Sequence, residues 1–453
     1  MSESHLLSSS SEDVGYLSSG KRVYMQHLIA ASERVTIGLA DNVLDVSGKL
    51  LFNRDELVQP GSLFRLMQIP TEISITHLFN LRDKENSLLN DFQQLIQKDP
   101  LLSAMNEADD QLALNESLMS CLAAVDAFPA LQQHLLLLAL ELPRTYSRTL
   151  YCALLSLLLA QEMRLTSADV NAIFLAALGH DVGMLMVNPF VLNKQEKLNA
   201  DDWRQIQQHL PVSVAILRRI SGFPESAVQA VLEHHERCDG TGYPSAKVES
   251  EISLLGQILG LTDSVAAIYF NRFKHEGRSL RDAAAIIQLN QQAYLHRSYE
   301  LISAILIRGE MPVKNVIANA NYDEYINQLN QKNQFLLQWF QLLSDCLLSL
   351  GFRHGDRHLH GLQNVIIHLA TSVKGGGLFE STSLRIESVT PVDKDELVKQ
   401  LESTGVMQQE LLFHLQRLSR MIQIYLDSDD KKDANIENKL RAGFEKVLAL
   451  HQG

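Results

Sequence analysis

Five histidine and aspartate residues fall into three groups whose types and spacing could hold a metal ion. His180 and Asp181 are adjacent, His209 follows Asp181 by 28 residues, and the adjacent pair His234 and His235 begins 25 residues after His209. Imidazole nitrogens and carboxylate oxygens together suit iron, manganese, nickel or zinc. A site of this kind can activate water and stabilise the negative charge on a phosphoryl group.

A sixth candidate, Asp263, lies inside an otherwise apolar segment of helical periodicity. Ile252, Leu255, Leu259 and Ala266 line the same broad face of that segment. An aspartate on such a face needs a partner, because the burial of an unpaired charge is very costly. A metal shared with the histidines would supply that partner, and an aspartate can also bridge two metal ions.

Each of these residues also has an ordinary structural explanation. A single histidine on a helix face, such as His209, is more often a core or surface residue than a ligand, and Asp263 could accept a hydrogen bond within its own helix. That explanation would have to cover an HD pair, an HH pair, an intervening histidine and a buried aspartate, all on helices. The metal site is therefore the favoured interpretation.

The segments that must position these residues have the periodicity of helices. In SADVNAIFLAALGHDVGM, the apolar residues lead directly to His180, and Ser167 is suited to cap the start of the helix. In ESAVQAVLEHHER, the apolar face of Val228 and Val231 leads to His234.

The length of 453 residues exceeds what one hydrophobic core usually supports, so two to three domains are expected. The composition indicates a disordered tail at residues 1–20, because this stretch is rich in serine and acidic residues, and it does not fit a signal peptide. We predict a small α+β module at 21–81, a helical linker at 82–141, a helical catalytic domain at 142–310, and a mainly helical C-terminal region at 311–453.

The small module is predicted from a change in pattern. VTIGLADNVLDVSGKLLF contains two strand-like runs around Ser47 and Gly48, which predicts a hairpin. A short helix is expected around Leu63 and Met67, followed by a strand in EISITHLF. The rest of the chain is predicted to be almost wholly helical.

The C-terminal region carries two apolar stripes at helical spacing, and we expect its helices to form a surface for a protein partner or a homodimer. The segment GLFESTSLRIESV between them could hold a short strand or hairpin. The stripes consist of Leu336, Trp339, Phe340, Leu343, Leu347 and Leu350, and of Leu411, Leu415, Leu418, Ile422 and Tyr425.

The composition excludes some classes of function. The net charge of −13 argues against a broad surface for nucleic acid or an anionic membrane, and the most apolar stretches are too short to span a bilayer. The four cysteines show no CxxC spacing, so reduced thiols in a cytoplasm are expected.

The loop after the second histidine pair is the most specific motif in the chain. HHERCDGTGYP, from His234 to Pro244, resembles the signature of the HD-GYP family, a branch of the HD-domain metal-dependent phosphohydrolases. The stretch NPFVLNKQEKLNADDWRQIQQHLPVSVAIL is similar to the segment that the family has between its HD pair and its middle histidine. More weakly, the N-terminal module is similar to the small domain that often precedes HD-GYP domains.

The resemblance implies a helical bundle around two or three metal ions, which hydrolyses the bacterial second messenger cyclic di-GMP. By position, Asp181 would bridge two metals, with His209, His234 and His235 on one and His180 and Asp263 on the other. The expected cofactor is one or two divalent transition metals, iron or manganese. The resemblance implies catalytic roles for Asp181 and Arg237, and contacts with the substrate for Lys194, Asp239, Gly240, Gly242, Tyr243, Pro244 and Arg272.

This sequence departs from the family pattern at two places. Where the family has an early histidine ligand, the count along PRTYSRTLYCALLSLLLAQEMRL gives Ser147 or Arg148. Where the family has a lysine three residues after the HD aspartate, which would contact the substrate phosphate, this chain has Met184. An arginine at the first place could replace a cation electrostatically or exclude it. If two metals do bind, Glu141 or Cys152 would be the first alternative ligands to test.

The sequence therefore predicts a slow cyclic di-GMP phosphodiesterase in the cytoplasm. The alternative is a degenerate relative that acts as a cyclic di-GMP sensor or a signalling scaffold. The two departures favour the alternative, and the six ligand-type side chains favour the enzyme. Hydrolysis of another phosphoester is a third, weaker option.

Overall fold

The structure is a computed structural model that describes residues 11–45, 47–68, 75–82, 87–99, 111–194, 196–308, 322–375, 391–428 and 433–450. These residues are mainly helical, with two small antiparallel two-stranded sheets, which confirms the predicted fold class. They form two compact units. One contains the described residues of Met1–Arg237 and Gly242–Ala267, and the other those of Cys238–Thr241 and Ile268–Gly453.

The N-terminal elements belong to the first unit. Helix α1 spans Ser11–Ala31, so the prediction of disorder at residues 1–20 is wrong from Ser11 onward. Tyr24, Met25 and Leu28 on this helix are buried. Once such a buried turn is formed, each added helical residue gains a backbone hydrogen bond at little further cost. Helix α1 contacts the 3-10 helix at Val182–Met186 and the helix at Pro129–Glu141, which both belong to the first unit. The predicted module at 21–81 is therefore not a compact unit of its own.

The strands of the module confirm the predicted hairpin, but one other strand lies at a different position from the predicted one. Strand β1 spans Thr36–Leu39, β2 Val43–Leu44 and β3 Leu50–Phe52, and β2 pairs with β3 around the predicted turn. Helix α2 spans Pro60–Gln68. The strand expected in EISITHLF is wrong in position, because Ile75–His77 is a 3-10 turn and β4 spans Phe79–Arg82 instead. Pairing with β1 sets this position, since it joins Ile37 to Leu81 on the buried side.

The helices that position the candidate site follow in the first unit. Apolar residues of α6 and α7, such as Leu155, Phe174 and Leu178, are fully buried where these two helices pack together. A 3-10 helix at Val182–Met186 follows α7 directly. The helices are α3 Leu88–Lys98, α4 Gln111–Val125, α5 Pro129–Glu141, α6 Pro143–Glu162, α7 Ser167–Gly179, α8 Pro189–Leu192, α9 Ala200–Gln207, α10 His209–Arg218, α11 Glu225–Glu233 and α12 Leu254–Ile268.

The second unit consists of helices and short turns. A π-helix at Tyr269–Phe273 continues from α12. Most of the two apolar stripes are buried inside this unit, so they hold its own helices together, and a partner surface would have to use other residues. The segment GLFESTSLRIESV lies outside the described residues. The helices are α13 Lys274–Glu276, α14 Ala283–Leu289, α15 His296–Arg308, α16 Tyr322–Leu348, α17 Arg357–Gly375, α18 Pro391–Asp427 and α19 Ala434–Leu450.

Among the described residues, one segment, Ser167–Met186, is long and apolar enough to cross a membrane by itself. The pair Asn115–Val125 and Pro129–Glu141, bent by 107°, passes the same test only when it is counted as one span. For Ser167–Met186, 83% of the apolar window is buried inside the protein. Because a buried core helix meets these criteria as readily as a membrane span, the finding is weak evidence for a membrane.

The core beneath α7 can be tested with a matched pair of phenylalanines. Phe174 is fully buried and lies with its ring centroid 5.6 Å from that of Phe92, whereas Phe190 is 88% exposed. We expect Phe174→Ala to lower the free energy of unfolding by about 3–5 kcal/mol through lost burial and a cavity. Phe190→Ala should change it by less than about 0.5 kcal/mol. Urea denaturation followed by circular dichroism measures both, and similar losses would contradict this core.

Candidate metal centre

All six predicted ligands come together in the first unit. His180 directly follows α7, His209 begins α10, and His234 directly follows α11. Asp263 lies within α12. Asp181, His180, His209, His234 and Asp263 are almost fully buried, and His235 is partly buried. Their roles as ligands stay a prediction, but the structure places them close enough to share one site.

Three of the histidines are oriented by the ends of helices. The Nδ1 atom of His180 lies 2.7 Å from the carbonyl oxygen of Ala177. His209 and His234 repeat this contact at 2.6 Å with the carbonyls three residues before them. The last carbonyls of a helix lack partners within the helix, so each imidazole satisfies one of them by donating from Nδ1. In neutral His209 and His234 this leaves the Nε2 lone pair free for a metal, and the negative ends of the preceding helices favour a cation there.

His209, His234 and His235 form the better metal-binding set. One nitrogen from each lies within 4.8 Å of the others. The Nε2 atoms of His209 and His235 are 3.2 Å apart, and Asp181 Oδ1 lies 3.6 Å from His209 Nε2. Ligands bound at about 2.1 Å in a tetrahedron lie about 3.4 Å from one another, so these separations fit one ion. The buried His234 Nε2 has no hydrogen-bond partner, as expected for a nitrogen that serves as a metal ligand.

His180, Asp181 and Asp263 form the other half of the site. His180 Nε2 lies 3.2 Å from Asp181 Oδ2 and 3.5 Å from Asp263 Oδ1. Neither contact is a well-directed hydrogen bond, since His180 Nε2 and Asp263 Oδ1 are both left without a partner. Two buried carboxylates so close together need a positive charge between them.

Arg148 on α6 supplies this charge. Its Nη2 donates to Asp181 Oδ2, and its Nε lies 3.7 Å from Asp263 Oδ1. Its side chain is 21% exposed. Of the two residues that the sequence left open at this place, Ser147 is the one excluded, because its hydroxyl donates to the carbonyl of Pro143.

The charges set the protonation of the site. Burial raises the pKa of Asp181, but the charges of Arg148 and His180 outweigh it, so this pKa lies well below its usual range. The pKa of Asp263 is also lowered, because Arg148 and His180 again outweigh burial. Burial lowers the pKa of His234 to about 3. His234 is therefore neutral at physiological pH, and its lone pair is available without the loss of a proton.

The remaining histidines differ in their protonation. Burial lowers the pKa of His209, and burial together with the neighbouring imidazoles holds the pKa of His235 well below its usual range. For His180, burial acts in the same direction, but the charge of Asp181 outweighs it and raises the pKa well above the usual range. The set of His209, His234 and His235 is thus neutral and ready to bind a metal, whereas His180 is paired with carboxylates.

The two alternative ligands have different surroundings. Glu141 pairs with Arg34 and lies 3.3 Å from His27 Nδ1, so it is committed elsewhere in the unit. Cys152 is buried, and its sulfur, His180 and Asp263 each offer one ligand atom within 4.8 Å of the others.

The signature loop is anchored by buried acids that the sequence analysis did not single out. Glu236 accepts hydrogen bonds from the backbone N–H groups of Ser245 and Lys247, at 2.7 and 2.9 Å. Glu233 accepts from the Lys247 ammonium at 2.6 Å and from Ser253. Glu233 and Glu236 lie on either side of the HH pair, and this position could have identified them in the sequence, since acids at the end of an apolar helix need partners.

Two residues predicted for the site, Arg237 as catalytic and Gly242 as a substrate contact, have structural roles in this loop. Arg237 donates to the carbonyls of His234 and Glu236 and to the hydroxyl of Ser264, so it braces the turn, and its catalytic role stays a prediction. A Cβ atom at Gly242 would lie 2.4 Å from the backbone of Arg237, which only glycine avoids.

Tyr243 covers one face of the histidine set. Its ring stacks on His235 with the centroids 4.6 Å apart, and the next peptide bond, to Pro244, is cis. Because the stacked ring limits how His235 can rotate, Tyr243 helps to hold the imidazole in place.

The other predicted contacts are engaged with protein groups. Lys194 Nζ lies 2.5 Å from Asp202, and Met184 is buried in the 3-10 helix after the HD pair. Within the second unit, Arg272 pairs with Glu410 at 3.0 Å, and Asp239 accepts hydrogen bonds from Thr241. Gly240, also in that unit, has a φ of 77°. Substrate contacts by these residues stay predictions, and Lys194 and Arg272 would have to exchange partners to bind a phosphate.

Comparisons with known proteins find an HD domain in this part of the chain. The family model for the HD domain matches residues 133–298, in agreement with the resemblance of the signature loop to the HD-GYP family. The match begins before the predicted boundary of 142 and ends before 310. The 3'3'-cGAMP-specific phosphodiesterase 3 of Vibrio cholerae is 29% identical over 242 residues, which are 48% of this chain and 52% of that protein.

Two further relatives are named for a different cyclic dinucleotide. A cyclic di-GMP phosphodiesterase of Pseudomonas aeruginosa is 31% identical over 139 residues, 31% of this chain and 34% of that protein. One of Thermotoga maritima is 31% identical over 150 residues, 33% of this chain and 40% of that protein. The alignments thus span about half or less of the length of these curated relatives.

The charge supplied by Arg148 can be tested through stability. In the presence of a chelator, we expect Arg148→Met to lower the free energy of unfolding by about 3–5 kcal/mol, because it leaves two buried carboxylates without a cation. The control is Arg218→Met, which removes a surface pair with Glu225 whose side chains are 51% and 69% exposed. That pair should contribute less than about 1 kcal/mol. Equal losses in urea denaturation would mean that Arg148 does not compensate these carboxylates.

Proposed function

We propose that this chain, which carries an HD domain at residues 133–298, is a metal-dependent phosphodiesterase of cyclic dinucleotides with cyclic di-GMP as its first substrate. The single observation that carries the proposal is the convergence of His209, His234 and His235 beside Asp181, at separations that suit one divalent transition metal. Iron or manganese is the proposed ion. The activities for which the relatives are named support the class of substrate.

The chain's own residues divide the work of hydrolysis. A divalent metal at this site supplies Lewis-acid charge and activates water. His209, His234 and His235 would hold it, and Asp181 Oδ1 completes the set. Arg148 keeps Asp181 ionised, so that carboxylate can accept a hydrogen bond from a water molecule beside the phosphate. Arg237 and Tyr243 keep the histidine pair in a fixed orientation.

The rate is proposed to be low because positive charge for the phosphate is scarce. The residue three positions after Asp181 is Met184, which carries no charge. Lys194 and Arg272 already pair with Asp202 and Glu410. Stabilisation of a phosphoryl transition state depends on charges already directed at the developing negative oxygens.

A second candidate function is a cyclic dinucleotide sensor with no turnover. The observation that favours it is the contact of Arg148 with both Asp181 and Asp263. These carboxylates of the second half of the site are then paired with the guanidinium instead of a metal ion. In that case, the C-terminal helices at residues 311–453 would pass the signal to a protein partner or a second copy. A cytoplasmic location is also proposed, since the four cysteines form no disulfide with one another and three of them are buried.

The enzyme hypothesis predicts that activity and metal are lost together. We expect purified protein to hydrolyse cyclic di-GMP slowly, and His235→Ala or His209→Ala to lower both metal content and rate at least about 100-fold, since even outer-shell changes can cost that much. The control is His296→Ala, whose side chain is 76% exposed, and it should leave both unchanged. Elemental analysis and chromatography of the nucleotides are the measurements.

The same assay separates the rival functions when 3'3'-cGAMP is tested in parallel. Faster turnover of 3'3'-cGAMP would keep the phosphodiesterase and change its substrate. Binding of cyclic di-GMP with no turnover would favour the sensor. Neither binding nor turnover of either nucleotide would contradict both functions.

The missing phosphate charge predicts a gain of function. Met184→Lys should raise the rate of hydrolysis about tenfold, because it adds a cation where the substrate phosphate is expected. The long lysine stem can stay buried while its ammonium reaches the site. Met184→Leu is the control and should leave the rate unchanged. An unchanged rate in a folded Met184→Lys protein would show that the phosphate lies elsewhere.

A further inference from the structure

Among the described residues, three groups of ligand-type atoms lie in the first unit. The first is His209, His234 and His235, the second is Cys152, His180 and Asp263, and the third, His180, Asp181 and His234, connects the other two. In the second set, a thiol, an imidazole and a carboxylate each offer one atom within 4.8 Å of the others, and all three residues are buried. A donor set of sulfur, nitrogen and oxygen suits zinc, iron or cobalt.

Arg148 lies against the second set. Its guanidinium contacts Asp181 Oδ2, the same oxygen that lies 3.2 Å from His180 Nε2, and its Nε lies 3.7 Å from Asp263 Oδ1. It therefore holds the carboxylate oxygens that face His180. Cys152 follows Arg148 on α6 by four residues, which is about one helical turn and puts both on one side of the helix.

The second set does not have the hydrogen bonds of an optimised buried ion pair. Arg148 Nε, His180 Nε2 and Asp263 Oδ1 are buried without a hydrogen-bond partner. The Cys152 sulfur forms a long hydrogen bond, 3.6 Å, with the Thr262 hydroxyl. Buried polar atoms are nearly always satisfied in native proteins, so His180 Nε2 and Asp263 Oδ1, which lie 3.5 Å apart without hydrogen bonds, indicate a place for an ion.

The balance of charge shows why an ion would not enter while Arg148 is present. Two ionised aspartates and one guanidinium leave a single negative charge, and His180, which lies 3.2 Å from Asp181 Oδ2 and 3.5 Å from Asp263 Oδ1, offsets that charge when it is protonated. One dication at the histidine set already exceeds what remains. A second dication would lie beside both the first ion and the guanidinium, and like charges at such distances repel strongly in a buried site.

We propose that Arg148 is a built-in cation that closes a second metal site formed by Cys152, His180 and Asp263, so that the chain binds one metal ion instead of two. The guanidinium supplies positive charge beside Asp181 and Asp263 as an ion would, but it carries no exchangeable water. It can therefore hold charge but cannot supply the second activating ion. This inference rests on the metal centre of the proposed function and not on its substrate.

The test counts metal ions in the full chain and needs no nucleotide. Protein stripped with a chelator is titrated with cobalt(II), and bound cobalt is measured by elemental analysis after gel filtration. Wild-type protein should bind one equivalent. Arg148→Ala should bind two, and its absorption spectrum should gain a thiolate-to-cobalt charge-transfer band. Arg148→Ala with Cys152→Ser should lose that band, and Arg148→Lys, which keeps the cation, should bind one equivalent.

Two results would overturn the proposal. One is binding of two equivalents by wild-type protein, which stays measurable even if Arg148→Ala does not fold. The other is one equivalent in an Arg148→Ala protein whose circular dichroism matches wild type. If the proposed function were wrong, the result would differ from both of these. The protein would neither hydrolyse nor bind the cyclic dinucleotides, and its metal count would be unchanged.

Discussion

The contact of Arg148 with two buried aspartates is the interaction on which the rest of the site depends. Asp181 and Asp263 come from different helical segments, and their carboxylates face one another in a region almost closed to water. Without a positive charge between them, Asp181 and Asp263 could not be buried side by side, because each uncompensated buried charge costs several kcal/mol. The guanidinium from α6 supplies this charge and occupies the half of the centre that it contacts.

The histidines depend on a second constraint, the unsatisfied carbonyls at helix ends. His180, His209 and His234 each follow the last turn of a helix and donate from Nδ1 to a carbonyl three residues earlier. The ends of three helices therefore direct the Nε2 atoms of these imidazoles into one region. The same local geometry thus fixes the orientation of the imidazoles and favours a cation.

Charged residues beside the histidine pair form hydrogen bonds with the backbone, although their types would also suit catalysis. Arg237 braces two carbonyls, and Glu236 receives two backbone N–H groups of the loop. Such contacts hold His234 and His235 where a metal could bind them. A charged residue within a signature motif can therefore be essential for the site without touching the substrate, and only its contacts distinguish the two roles.

The sequence by itself determined the residue types of the centre, their order and their helical setting, because helical periodicity is local. The contacts of His180, His209 and His234 with the carbonyls three residues before them are local as well. It also predicted the β2–β3 hairpin, whose turn is set by neighbouring residues. Tertiary structure decided what depends on distant partners. It selected Arg148 over Ser147, since one residue turns the side chain by about 100° around the helix. It excluded Glu141, which pairs with Arg34 and His27, and it moved a strand to Phe79–Arg82, because the register of β4 is fixed by pairing with β1.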